Sequence, residues 1–184
     1  MSEIGTSPIG PYPHPSPPAA LRPYDPRAPE VAARVIALLR ELLSDVQAEH
    51  IGSSSVPGCA GKGYIDLMVL FADVAERERI KAALAALGFQ RQRTHDPWPE
   101  ERPMRTGSLE HDGAAFLLHV HVVPADSPEV AANRRFRDRL RADPALVEAY
   151  VAHKRAVLES GVTDSVDYSI AKGGFVEEAL RGAG

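Results

Sequence analysis

Between Glu30 and Phe71 the spacing of apolar residues switches from threes and fours to twos, which commits the chain to a fold in which helices pack on a sheet. Val31, Val35, Leu38, Leu39, Leu42 and Val46 predict an amphipathic helix over 30–47. His50-Ile51-Gly52 reads as the end of a short strand. The loop SSSVPGCAGKG holds too much serine, glycine and proline for regular structure, and Ile65 to Phe71 is β-branched and aromatic enough for a strand. Downstream, 74–87 reads as a helix closed by Gly88, 89–93 as a short strand, 94–106 as proline-interrupted loop, and 115–123 as an apolar strand ended by Pro124. Helices over 128–142, 144–159 and 166–180 finish the chain, the first two opened by proline, whose missing N–H costs nothing there. The expected architecture is α/β (α+β), a small mixed sheet flanked by helices on at least one face, with a C-terminal helical cap.

Residues 1–29 hold nine of the sixteen prolines, a density that forbids helix and favours extended chain. We read them as an arm ahead of a single domain over 30–184. The arm is either a loose tail or a strap packed through Ile9, Tyr12, Leu21 and Tyr24. It has few large apolar groups to offset the entropy of ordering it, so the tail is the expectation: removing 1–18 leaves stability almost unchanged, and nothing in the arm carries chemistry.

With 184 residues the chain has room for one sizeable core. Its formal charge of −4 gives no general attraction to nucleic acid or to an anionic membrane, so any phosphate binding has to be local. No segment approaches the roughly 20 apolar residues of a membrane span, the start lacks a basic stretch followed by an apolar run, and the single cysteine, Cys59, favours a reducing compartment. A cytoplasmic location is expected.

Chemistry concentrates in three places. Gly52-Ser53, followed by Ser54, lets backbone amides and hydroxyls approach a phosphate, and Lys62 adds charge, although a Gly/Ser loop also serves as plain connection. Alternation puts Ile65, Leu67, Val69 and Phe71 on one strand face and Asp66, Met68 and Leu70 on the other. Asp66 therefore needs a metal, a cation or several donors, or it caps the amides of its own loop. On the later strand, His119 and His121 share one face opposite Phe116, Leu118, Val120 and Val122. With Asp66 they offer two imidazoles and a carboxylate for acid/base work or a metal, or they line a polar sheet face. Trp98 stacks on a base or covers the sheet edge, and Asp138 pairs with a neighbouring arginine.

HIGSSSVPG, Lys62, Ile65-Asp66, LHVHVV, the run FRDRLRADPALVEAYVAHK ending at Lys154, and then Tyr168, Lys172 and Phe175 together resemble the GrpB-like family of the polymerase-beta-like nucleotidyltransferase superfamily, across roughly residues 21–183. The resemblance implies a nucleotidyltransferase-like sheet whose Gly-Ser pair, here Gly52 and Ser53, holds the phosphates of a nucleoside triphosphate. It also implies strand carboxylates that hold magnesium. Asp66 falls on the first of these, Met68 on the second, and His119 or His121 on the third. Arg137, Arg141, Lys154 and Lys172 fall on family-like positions, where Arg137, Arg141 and Lys154 form a basic stripe facing the loop. One Asp with imidazoles suits a transition metal better than magnesium, which prefers oxygen ligands. Three readings follow: an enzyme that binds a nucleotide or coenzyme A derivative and transfers a nucleotidyl or related group to a small molecule; a non-catalytic binding or regulatory module, since a GrpB-like domain is found fused to dephospho-coenzyme A kinase in some bacteria; and a transition-metal site of Asp66, His119 and His121 with different chemistry.

Overall fold

The computed structural model describes residues 8–181. Its elements run α1 (Ala28–Leu42), β1 (Gln47–Ile51), a single 3-10 turn at Ser53–Ser55, β2 (Ile65–Phe71), α2 (Val74–Leu87), β3 (Gln90–Arg91), β4 (Met104–His111), β5 (Ala114–Pro124), α3 (Pro128–Ala142), α4 (Pro144–Glu159) and α5 (Ser165–Arg181). The strands form one sheet in the order β1-β2-β5-β4-β3, in which β2 and β5 are parallel and every other pair is antiparallel. No helix of the described residues is long and apolar enough to cross a membrane.

Alternation along β2 and β5 divides the molecule. Ile65, Leu67, Val69 and Phe71 join Phe116, Leu118, Val120 and Val122 in one core with Val31, Val35 and Leu39 of α1 and Ile80, Leu84 and Leu87 of α2. Each fully buried side chain of this kind contributes roughly 1.5–3 kcal/mol. On the other face Met68 and Leu70 pack with Ile51, Val123 and Val130 of α3. Helices therefore cover both faces of the sheet.

The two largest differences from the sequence expectation are at the end of the first helix and in the loop expected over 94–106, and in both the sheet overrides local pattern. The first helix ends at Leu42 rather than 47, because Gln47–Ile51 is drawn into a ladder with β2. The expected loop over 94–106 gives way at Met104 to β4, whose polar Arg105, Thr106, Ser108 and Glu110 hide its strand character. Eight pairings with β5 hold it. The β4–β5 connection is Asp112-Gly113, both at positive φ (47° and 72°), a hairpin signal the sequence carries plainly.

The arm is corrected as well. Residues 1–7 lie outside the described residues; from Pro8 onward the chain is a strap. Ile9 is 2% exposed inside the main core, and its methyl comes so close to β4 that a Cβ on Gly107 would lie 2.4 Å from Ile9 Cγ2. Gly10 and Ser108 exchange backbone hydrogen bonds of 2.8 and 3.0 Å, and Arg22 and Gly61 exchange bonds of 2.7 and 3.0 Å. Proline lacks an N–H but keeps its carbonyl, so the arm ties down through the amides of Ile9, Gly10, Ala19 and Arg22 and through the Pro11 carbonyl, which accepts from Ser108 Oγ.

Candidate functional site

β1 ends against the carboxylate that β2 presents. Gly52 has φ 72°, and a Cβ there would sit 2.8 Å from Asp66 Oδ2, so a glycine lets the turn pass over Asp66. The turn closes through Ser55 N–H and Oγ–H, which both donate to the Gly52 carbonyl, at 3.1 and 2.6 Å. Between this turn, the polar sheet face, α3–α5 and the arm lies a cleft of about 930 Å³. All ten site residues expected from the sequence line it: Gly52, Ser53, Ser54, Lys62, Asp66, His119, His121, Arg137, Lys154 and Lys172.

They do different things there. The parallel register sets Asp66 beside His119 and Met68 beside His121. Asp66 Oδ1 lies 3.4 Å from His121 Nε2 and 3.6 Å from His119 Nδ1. Burial works against the carboxylate charge, but the two imidazoles hold its carboxyl well below the usual range. Burial also pushes the His119 imidazole down. Its Nδ1 faces Asp66, and its Nε2 hydrogen-bonds with the Tyr12 hydroxyl at 3.0 Å. The arm thus reaches the candidate site, where the sequence expectation gave it no part. Tyr64 and Tyr12 both pack on the His119 ring, at 4.8 and 5.5 Å.

The carboxylate set does not fit a pair of magnesium ions. Met68, at the second carboxylate position, is fully buried under α3 and outside the cleft. Among the described residues, the donor atoms of Asp66, His119 and His121 are not gathered within 4.8 Å of one another, as those of Glu30, His111 and Asp112 and of His95, Asp164 and Asp167 are. An ion held by the first three residues would have to draw the rings inward.

Lys62 and Lys172 place their ammonium groups over the Tyr168 ring, at 5.6 and 5.4 Å, and Lys62 also lies 4.8 Å from the Tyr64 ring. Burial, and after it the charge of Lys172, push Lys62 down to about 8; burial lowers Lys172 too. Lys154 is 1% exposed and supports the turn from beneath, donating to Ser53 Oγ at 3.0 Å and to the Ala60 carbonyl. The expected stripe of Arg137 and Arg141 does face the loop, but its donors are engaged with protein. Arg137 bonds Glu49 and the His50 carbonyl, and Arg141 bonds the Ser55 carbonyl at 2.8 Å. Arg137 also pairs with Asp138 at 2.8 Å, as the sequence suggested for that aspartate. Ser54 Oγ pairs with His50 Nε2 at 2.9 Å.

Two hydroxyls among the described residues are buried without a hydrogen-bond partner, Thr94 Oγ1 and Tyr168 Oη, and both residues line the cleft. Sequence reasoning missed Thr94, Tyr12 and Tyr64, which lie in segments whose pattern gives no register. Tyr168 stood out only through the family resemblance. Trp98 sits at the cleft edge with the Arg102 guanidinium 4.0 Å over its ring and the His121 ring 5.7 Å away.

Comparison with known proteins accords with this picture. A family model described as GrpB protein matches residues 18–181. UPF0157 protein SCO7215 of Streptomyces coelicolor is 37% identical over 153 residues, 83% of this chain and 77% of that one. Among solved structures, conserved protein GrpB from Enterococcus faecalis aligns with a TM-score of 0.65 at 23% identity, covering 86% of this chain and 93% of that one. The Cid1 poly(U) polymerase with MgGTP bound aligns with a TM-score of 0.50 at 19% identity, over 73% of this chain but 44% of the polymerase, a likeness of fold. A mixed sheet flanked by helices, a match over nearly the whole described chain and a close relative lead to one assignment: the chain belongs to the GrpB family and has a nucleotidyltransferase-like fold.

Proposed function

We propose that the cleft binds a phosphate-bearing small molecule of the nucleoside triphosphate or coenzyme A class, from which a nucleotidyl or related group is transferred to a small acceptor. The observation that carries this reading is the gathering of Lys62 and Lys172 in one cleft with the Gly52-Ser53 turn, which Lys154 supports, in a chain whose net charge is −4. Burial, and after it the charge of Lys172, makes the charged form of Lys62 less favourable, and an anion in the cleft would offset that cost. The buried Tyr168 hydroxyl supports the reading further, since a ligand would supply the hydrogen-bond partner it lacks. The Cid1 likeness is consistent with nucleotide chemistry, although that polymerase is more than twice the length of the part that aligns.

Calorimetric titration with ATP, GTP, CTP, UTP and coenzyme A tests the proposal. A charge-assisted hydrogen bond contributes roughly 1.5–3 kcal/mol, so Lys62→Ala is expected to weaken binding by about tenfold or more. Absence of binding by the wild type to every one of these ligands, or unchanged affinity in Lys62→Ala, would refute it.

A further inference from the structure

Lys154 is a buried amine whose recorded polar partners are all neutral. Its Nζ lies 3.0 Å from Ser53 Oγ and 3.5 Å from Cys59 Sγ, contacts the Ala60 carbonyl, and sits 4.2 Å from the centre of the Tyr150 ring. As the ammonium, Nζ donates to Ser53 Oγ as well as to the Ala60 carbonyl and the Cys59 sulfur; once it has lost a proton, its two N–H groups still serve the last two and its lone pair is left facing the Ser53 hydroxyl. Ser53 is fixed from two sides. Its backbone carbonyl accepts from the Val56 N–H at 3.1 Å, and a Cβ on Gly61 would lie 2.9 Å from Ser53 Cβ. Both residues line the cleft, and Ser53 is the more exposed of the two.

We propose that Ser53 is a nucleophile toward phosphorus centres and that Lys154 is the base that takes its proton. Ser53 Oγ attacks phosphorus and the Oγ–P bond forms as the bond from phosphorus to the leaving group breaks. The Oγ proton passes to Lys154 Nζ and from there to the leaving group, so the step needs no oxidant or reductant. Lys62 and Lys172, in the same cleft, would hold the non-reacting phosphate oxygens. The proposal takes its substrate class from the phosphate-binding reading, while the dyad itself stands on its own geometry.

Burial lowers Lys154 to about 8, which brings the amine within reach at mildly alkaline pH. The titratable groups facing it are Cys59 from the loop, Tyr150 from its own helix and Lys172 from α5. The thiol favours the ammonium form and Lys172 disfavours it.

The test is labelling with a tagged fluorophosphonate, in which Oγ displaces fluoride from phosphorus and the hydroxyl proton leaves with it, read by intact mass and peptide mapping. One adduct is expected, on Ser53, absent from Ser53→Ala and formed at least tenfold more slowly in Lys154→Met. The wild-type rate should climb about tenfold per pH unit below about 8 and level above it. If Lys154→Met does not fold, that pH profile carries the test of the base. No adduct, an adduct on another serine such as Ser54, or a rate flat across pH 8 overturns the proposal. The reagent carries no nucleotide, so failure to label and failure to bind in calorimetry are read separately.

Discussion

On β2 and β5, Ile65, Leu67, Leu118 and Val120 point into a core sealed by α1 and α2, whereas Asp66, His119 and His121 point into a cleft that α3–α5 and the arm only partly fill. The same period-2 alternation produces both surfaces. What separates them is the covering layer. α1 and α2 bring leucine, isoleucine and valine to the sheet, while α4 and α5 bring Lys154, Tyr168 and Lys172 and leave a space of about 930 Å³. The larger core and the ligand chemistry are therefore assigned to opposite faces of two shared strands, and substitutions one residue apart, such as at Leu118 and His119, should separate them.

The largest expected effect lies on the sealed face. Leu118 is 0% exposed between β2 and β4, and Leu118→Ala should cost about 3–5 kcal/mol in denaturant unfolding, with little room for the site to collapse. A cost below about 1 kcal/mol would mean that the two faces are not energetically distinct.

A smaller loss is expected from the strap. Ile9 is buried in that same core but arrives on an arm that can relax toward the gap, so Ile9→Ala should cost about 2 kcal/mol, the low end for such truncations. An unchanged melting temperature would return the arm to the tail that its proline content suggests.

The contrast between faces also explains what could be read from the sequence. β2, α2, α3 and α4 match their expected bounds because period and proline or glycine punctuation agree at each. Alternation put both histidines on one strand face and Asp66 on the polar face of its own strand, but that the two strands are neighbours came only from the sheet order. β4 was hidden because its residues satisfy a ladder rather than a hydrophobic pattern, and Gly107 is there to admit Ile9, a contact across the sequence that no local window contains. The cleft's lysines were visible as residues, but their roles were not. Only the tertiary arrangement distinguishes Lys154, held under the turn, from Lys62 and Lys172 above the Tyr168 ring, or shows that Arg137 and Arg141 serve as loop anchors.

The central claim is that the polar face is built to hold an anion, and Lys62 reports on it directly. Its folded-state value, about 8, lies below the ordinary lysine value of 10.5. The sign follows: the native state disfavours the Lys62 proton, its contribution to stability is fully present above about 10.5, and it is lost as pH falls through about 8. An anion beside it should reverse that shift. Isotope-edited NMR of the Lys62 side chain across a pH titration, with and without saturating nucleoside triphosphate, should show a midpoint near 8 in the free protein that moves up by at least one unit with ligand. A midpoint that stays in place under saturating ligand, or that sits near 10.5 in the free protein, contradicts the account.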